Sequence, residues 1–234
     1  MGQIHAILLA GGLGKRYGSS PKQFLSLAGE TLLQRSTRRF REWGFLKQVI
    51  IVSHPDSIWE VENQLDSILL GNDRIIEGGA TRHESFLNGY HAIQKQKDDL
   101  VFIHDIARPF FLFSELDDLV QATRVHGLAS LAQSCPDTIL RNNTPQEIIA
   151  REKIYLIKTP QMAKVETIES FLEKENTYSG SQDEPTDLSS WGLKWARSTK
   201  MVETGFWNLK VTNPGDLELA QSLLSSMQFL RSDS

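Results

Sequence analysis

One cysteine, Cys135, stands in 234 residues, so the chain has no internal disulfide framework. It follows an apolar run and is expected to be a buried structural thiol rather than a nucleophile. No apolar stretch approaches the roughly 20 residues that a membrane-crossing helix needs. The N-terminal run Ile4–Ala10 meets Gly11-Gly12 after seven residues and has no basic stretch before it. It is too short for a signal-peptide core with its cleavage site. Cations are also scarce: 25 Lys and Arg against 29 Asp and Glu leave a formal net charge of −4. A chain with that balance has no global attraction for nucleic acid or an anionic membrane. Internal repeats and low-complexity segments are missing too. Together these absences predict a soluble, cytoplasmic protein without nucleic-acid or membrane partners. Any anionic ligand must be held by a local cluster of cations.

The residues present suit one substantial core, since 40% are hydrophobic, and a single domain over 1–234 is expected. Short runs rich in Ile and Val alternate with segments of helical period. The runs are Ala6–Leu9, Val49–Val52, Leu100–Ile103, Leu128–Ala132 and Leu209–Val211. Continuous apolar runs of this length fit strands covered on both faces, as in a parallel sheet. Leu33, Ser36, Phe40 and Trp43 mark a helix that Gly44 ends. Ile58, Val61, Leu65 and Ile68 mark a second, with Gly71 as its stop. Leu116, Leu119, Val120 and Thr123 mark a third, with Ser114 as N-cap and Gly127 closing it. Asn213-Pro214 starts a last helix whose Leu217, Ala220, Leu223 and Leu224 face the core. The alternation predicts an α/β three-layer sandwich. Residues 136–158 break the rhythm. Two β-like pieces there, Thr138–Arg141 and Glu147–Ala150, flank Asn142-Asn143-Thr144-Pro145 and read as a hairpin arm. It either lies on the body or projects toward a second subunit. Asn176–Glu184 reads as a mobile loop.

The first strand leads into AGGLGKRYGSSPKQF, Ala10 to Phe24. Two phosphate-binding fingerprints fail here. Gly14-Lys15 is followed by Arg16 rather than Ser or Thr, and the position five before Gly14 is Leu9, so this is not a P-loop. Tyr17 stands where the third glycine of a dinucleotide loop belongs. What remains is a glycine-rich loop whose N–H groups can form an anion-binding concavity. From Met1 to Gly29 there are Lys15, Arg16 and Lys22 and no acid at all. That is a local field directed at something negative. Asp105 lies two residues beyond the run Leu100–Ile103, at the carboxyl end of a strand where parallel sheets bind ligands. A carboxylate there suits Mg²⁺ beside phosphates, an ion pair with Arg108, or a turn cap. Thr81 and Glu84 fit a capping box. His104 reads as structural.

The pattern Gly-Gly-x-Gly-x-Arg through Pro-Lys-Gln-Phe resembles the sugar-phosphate nucleotidyltransferases. Within them it resembles the cytidylyltransferases acting on 2-C-methyl-D-erythritol 4-phosphate. Further blocks follow in order: Gly78-Gly79 with Arg82 and Ser85, His104 to Pro109, Asp137-Thr138, Thr159-Pro160-Gln161, Thr186-Asp187, and Asn208 to Thr212. The resemblance implies a mostly parallel, Rossmann-like nucleotidyltransferase sheet with a protruding β-hairpin arm. It implies transfer of a cytidylyl group from CTP to the sugar phosphate, with release of pyrophosphate, in non-mevalonate isoprenoid precursor synthesis. Close relatives use D-ribitol 5-phosphate, the alternative acceptor; a non-catalytic nucleotide-binding module is the remaining reading.

By resemblance, Arg16, Lys22 and Lys210 are catalytic, Lys22 at the pentacoordinate phosphorus and Arg16 at the leaving pyrophosphate. Ala10, Gly11, Gly12, Gly14, Gly79, Ala80, Ser85 and Asp105 hold the nucleotide, with Gly79, Ala80 and Ser85 at the cytosine. Asp105, Arg108, Thr138, Arg151, Thr159 and Thr186 hold the acceptor. Asp105 also binds Mg²⁺, the implied cofactor. The arm crosses to a second subunit in the family, so a homodimer is implied in which Arg151 completes the neighbour's site. Three positions depart from the family pattern: Ala80 where an acid is common, Leu140 where a lysine is usual, and Leu188 in place of an acid.

Overall fold

The computed structural model describes residues 2–11, 21–178 and 183–226. Strand β1 (Ile4–Leu9) opens the chain. A short 3₁₀ turn, Lys22–Phe24, leads into the two-residue strands β2 (Ser26–Leu27) and β3 (Glu30–Thr31) and helix α1 (Leu32–Glu42). Then come β4 (Gln48–Ser53), α2 (Ile58–Leu65), β5 (Arg74–Glu77), α3 (Arg82–Ala92) and β6 (Leu100–Asp105). Helix α4 (Phe113–His126) and β7 (Leu128–Ser134) follow, then the paired β8 (Ile139–Arg141) and β9 (Glu147–Ile149). The long β10 (Tyr155–Lys164), α5 (Val165–Thr177), α6 (Leu188–Lys194), β11 (Lys200–Glu203) and α7 (Pro214–Ser226) complete it.

Seven strands form one sheet in the order β11-β7-β10-β6-β1-β4-β5. Among the described residues only β10 runs against its neighbours in this sheet; the sheet's other pairings are parallel. The apolar runs are continuous because both faces are covered. Ala6, Leu8, Val49, Ile51 and Phe102 pack with Leu33, Phe40, Val61, Leu65 and Leu119 of α1, α2 and α4. Ile7, Ile50, Val52, Val101 and Ile103 pack on the other face with Phe86, Tyr90, Ile168 and Trp191 of α3, α5 and α6. A third cluster joins Leu27, Leu32, Phe110 and Val211 to Ala220 and Leu223 of α7. The α/β three-layer sandwich expected from the alternation is present. Gly44 and Gly127, at φ of 82° and 81°, end α1 and α4 in the left-handed conformation that suits glycine.

Several local expectations need correction. Leu209–Val211 is no strand: it is a segment without regular structure, tied by the Val211 amide to the Ala107 carbonyl at 2.8 Å. Helix α2 stops at Leu65, and Ile68 returns to the core from a turn whose amide bonds the Leu65 carbonyl at 2.8 Å. Gly71 is therefore not its stop. Helix α4 begins at Phe113, one residue before Ser114, with Leu112 at the cap and the Glu115 carboxylate accepting from the Leu112 amide at 2.8 Å. Cys135 is half-buried rather than buried. It sits one residue past the end of β7, where the chain leaves the cover of the helices. Asn176 and Thr177 belong to α5, and residues 179–182 of the expected loop lie outside the described residues.

The arm is present and shorter than 136–158. Ile139 pairs with Ile149 and Arg141 with Glu147, antiparallel. Tyr155 already pairs with Ser134 of β7, so residues 155–158 belong to the sheet. Strand β10 shows no continuous apolar run in the sequence because Lys158, Thr159 and Pro160 interrupt it. The sheet accommodates Pro160 by a register shift between Ile157 and Gln161.

Candidate active site

A crevice of about 340 Å³ opens at the carboxyl ends of the central strands. It is lined by Ala10 and Gly11 after β1, Lys22, Gly79 to Arg82, Ser85, Asp105 after β6, and Lys210. Pro21, at φ −61° and ψ 136°, turns the chain into the 3₁₀ segment that presents Lys22. A wider trough of about 970 Å³ lies at the opposite end of the sheet. Lys95, Lys97 and Arg197 are offset there by Glu166, Glu169 and Glu173, so no net field for an anion results.

Asp105 is the hub. Arg82, the first residue of α3, donates to its Oδ1 from Nε at 3.1 Å and from Nη2 at 2.9 Å. Lys210 donates to Oδ2 at 2.6 Å. The Asp105 amide bonds the Thr159 hydroxyl at 3.1 Å. Burial alone would raise this carboxyl. The charges of Arg82 and Lys210 and their hydrogen bonds outweigh it and hold Asp105 far below the usual carboxylate range. Asp105 and Arg108 form no ion pair: Arg108 Nη1 turns instead to the Asn208 carbonyl at 3.0 Å. His104 is fully buried, pushed down to about 3 chiefly by that burial, with Nε2 3.0 Å from the Arg108 carbonyl.

The turn before α3 forms one wall. The Gly79 amide donates to Ser85 Oγ at 3.1 Å, and Ser85 Oγ donates to the Thr81 carbonyl at 2.8 Å. Thr81 caps α3, accepting from the Glu84 amide at 3.1 Å. Glu84 does not close the box onto the Thr81 amide; its carboxylate takes the Ala80 amide at 2.7 Å. A Cβ on Gly79 would come within 2.3 Å of Glu84 Cβ, so only glycine permits this approach.

The remaining candidates separate by place. Gly12, Gly14 and Arg16, with Lys15, lie outside the described residues. Thr159 is buried behind Asp105. The Thr186 carbonyl accepts from Arg82 Nη1 at 2.8 Å, and its amide donates to Ser190 Oγ at 3.0 Å. Arg108 stands behind the crevice lining. Thr138 and Arg151 are exposed on the arm and do not line the crevice; Arg151 Nη1 donates to the Pro136 carbonyl at 2.7 Å. Leu140 is exposed on the same arm. Leu188 is buried in the core beside Trp191, so its departure from an acid reflects packing. In the sequence Arg82 stands only within the block Gly78-Gly79 to Ser85. Nothing in its spacing to Asp105, 23 residues on, indicates that the two meet.

The profile of the family described as IspD: 2-C-methyl-D-erythritol 4-phosphate cytidylyltransferase matches residues 4–226. A protein of that name from Leptospira interrogans serogroup Icterohaemorrhagiae serovar copenhageni is 39% identical over 234 residues, covering 99% of this chain and 96% of the relative. One from Thermotoga neapolitana is 32% identical over 219 residues, covering 92% and 94%. In structure, the chain is similar to the 4-diphosphocytidyl-2C-methyl-D-erythritol synthase of Anaerococcus prevotii. The TM-score is 0.81 at 24% identity, over 95% of this chain and 96% of that one.

Proposed function

The chain belongs to the 2-C-methyl-D-erythritol 4-phosphate cytidylyltransferase family, and from that membership we propose how its crevice divides the work. The reaction transfers the cytidylyl group of CTP to 2-C-methyl-D-erythritol 4-phosphate, in non-mevalonate isoprenoid synthesis. An oxygen of the acceptor's phosphate attacks the α-phosphorus of CTP. A new P–O bond forms, the bond to the bridging oxygen breaks, and pyrophosphate leaves with that electron pair, giving CDP-methylerythritol. The attacking group is already anionic, so no general base is required, and buried His104 needs no part in the chemistry. The burden is charge: two anions must approach, and more negative charge gathers on the equatorial oxygens.

The observation that carries this reading is the convergence of Lys22, Arg82 and Lys210 with the carboxylate of Asp105 at one strand-end crevice. Lys22 meets the α-phosphate as charge builds. Lys210 exchanges the Asp105 carboxylate for phosphate oxygen when the substrates arrive. Arg16, with the glycine loop of Gly12 and Gly14, steadies the pyrophosphate. Arg82 keeps hold of Asp105 and orients it. Ala10 and Gly11 pass close to the nucleotide, and the Gly79–Ala80 turn with Ser85 borders the base.

The family's enzymes are metal-dependent, and Asp105 is the residue assigned to Mg²⁺. Among the described residues no group of three or more His, Cys, Asp or Glu side chains could cage a metal. Asp105 would hold Mg²⁺ with its one ionised carboxylate beside phosphate oxygens of the nucleotide, a donor chemistry that fits that ion. When bound, that ion neutralises triphosphate charge.

Arg108, Thr159 and Thr186 shape the acceptor side from behind Asp105. Arg151 and Thr138 serve a neighbouring copy in a homodimer joined through the arm, where Leu140 and Ile148 expose apolar surface beside Tyr155 and Leu156 of β10. No helix among the described residues is long and apolar enough to cross a membrane; a cytoplasmic setting suits the chemistry.

Pyrophosphate release tests the reading directly. With CTP and Mg²⁺, methylerythritol phosphate should support turnover and ribitol 5-phosphate should not. Lys22→Ala should lower kcat by about 10²–10³, the scale for losing one transition-state contact, while its circular dichroism stays that of the parent. Undiminished turnover would remove Lys22 from the mechanism.

A further inference from the structure

The buried lysine of β10, Lys158, is used by nothing above. It is 8% exposed, and Nζ donates to the Asn208 carbonyl at 3.0 Å and the Gly205 carbonyl at 3.5 Å. Among the described residues it has no salt-bridge partner. The charged groups facing it are Arg108, which repels it, and Glu115 of α4, which attracts it. Glu115 is itself committed to the Thr204 hydroxyl at 2.6 Å and the Trp207 indole at 3.1 Å. An ammonium buried without a carboxylate carries a desolvation cost that an apolar side chain would not. Stability does not explain its presence.

Geometry does. Arg108 Nη1 donates to the same Asn208 carbonyl at 3.0 Å, so two cations converge on one oxygen. The Asn208 side-chain amide donates to the Thr159 carbonyl at 3.0 Å. Two residues further on, Lys210 reaches Asp105. We propose that Lys158 is a positioning residue for the transfer: with Arg108 it clamps the Asn208 carbonyl, and the clamped segment 204–210 sets Lys210 at the reacting phosphorus and Arg108 toward the acceptor. This rests on the roles given above to Lys210 and Arg108.

Lys158→Met keeps the stem and removes the donor. It should melt no lower than the parent at pH 7. Its kcat/KM for the sugar phosphate should fall by about 10- to 100-fold, as for a misplaced reacting group, with the KM for CTP within about twofold of the parent's. Lys158→Arg, which keeps a cationic donor, should recover at least half of the lost kcat/KM. Burial lowers the Lys158 pKa to about 8. The parent's acceptor kcat/KM should therefore bend near pH 8, and the bend should vanish in Lys158→Met. Parental kinetics in Lys158→Met overturns the inference. So does a loss that Lys158→Arg leaves unrepaired. If Lys158→Met does not fold, the parent's profile decides, and the absence of a bend near pH 8 counts against the proposal. Lys210→Met separates the layers. Full activity there removes the underlying reading, whereas inactive Lys210→Met beside fully active Lys158→Met removes only the role of Lys158.

Discussion

His104 and Asp105 are neighbours with opposite fates. Both are buried at the end of β6. Asp105 keeps its charge because two cations reach it, while His104 loses its charge because its ring is buried against the touching pair Phe40 and Phe111, each 5.2 Å away. The sign of the His104 contribution follows. Unfolded, it takes a proton near 6.5; folded, it refuses one until about 3. Between those values the unfolded state binds more protons, so stability falls as pH drops through that window, by up to about 1.4 kcal/mol per pH unit. His104→Phe removes that titration. Its melting temperature should decline less between pH 7 and pH 4.5 than the parent's, and parallel curves would show that His104 titrates freely. At this scale the sequence was informative about residue type and place. An acid at a strand end and a histidine beside an apolar run were both visible. Which cation holds Asp105 was not, because Arg82 meets it only when α3 packs across β1 and β4.

Helix α3 shows what an element contributes. Its first residue is Arg82, and its position on the sheet depends on Gly89. A Cβ there would stand 2.7 Å from Ile7 Cγ2 and 3.0 Å from Val52 Cγ2. Gly89→Ala should push α3 outward and cost about 1–3 kcal/mol, the usual range for overpacking, read from the urea midpoint. Turnover should fall as well, since Arg82 moves with the helix. An unchanged midpoint would mean that the sheet yields without strain. The strands covered on both faces were legible because burial demands continuous apolar runs. Strand β10 was not, because Lys158 and Pro160 obscure its pattern and its pairing is decided by the sheet. Leu209–Val211 misled for the converse reason: it is apolar because Val211 packs beneath α7, not because it pairs.

At the scale of the whole molecule, we propose that the chain unfolds as one unit and works as a pair. A single coincident transition by fluorescence and circular dichroism would bear out the first statement. Complementation tests the second. Arg151→Ala and Lys22→Ala each impair every site of a homodimer. In a mixed dimer, one site combines an intact Lys22 with an intact Arg151 from the other copy. Mixing the two variants should restore about a quarter of parental activity under random exchange. No recovery would place Arg151 outside the neighbour's site.

Residue order by itself determined that this chain builds a covered parallel sheet and that a cationic, glycine-rich loop follows its first strand. Both are properties of local composition: apolar runs must be buried, and an acid-free stretch must carry a positive field. Tertiary structure alone decided which distant groups share charge. Arg82, Asp105 and Lys210 meet at one carboxylate, and Lys158 and Arg108 at one carbonyl, because the strand ends and the segment before α7 converge there. Coulomb energy depends on distance in space, and separation along the chain carries no record of it.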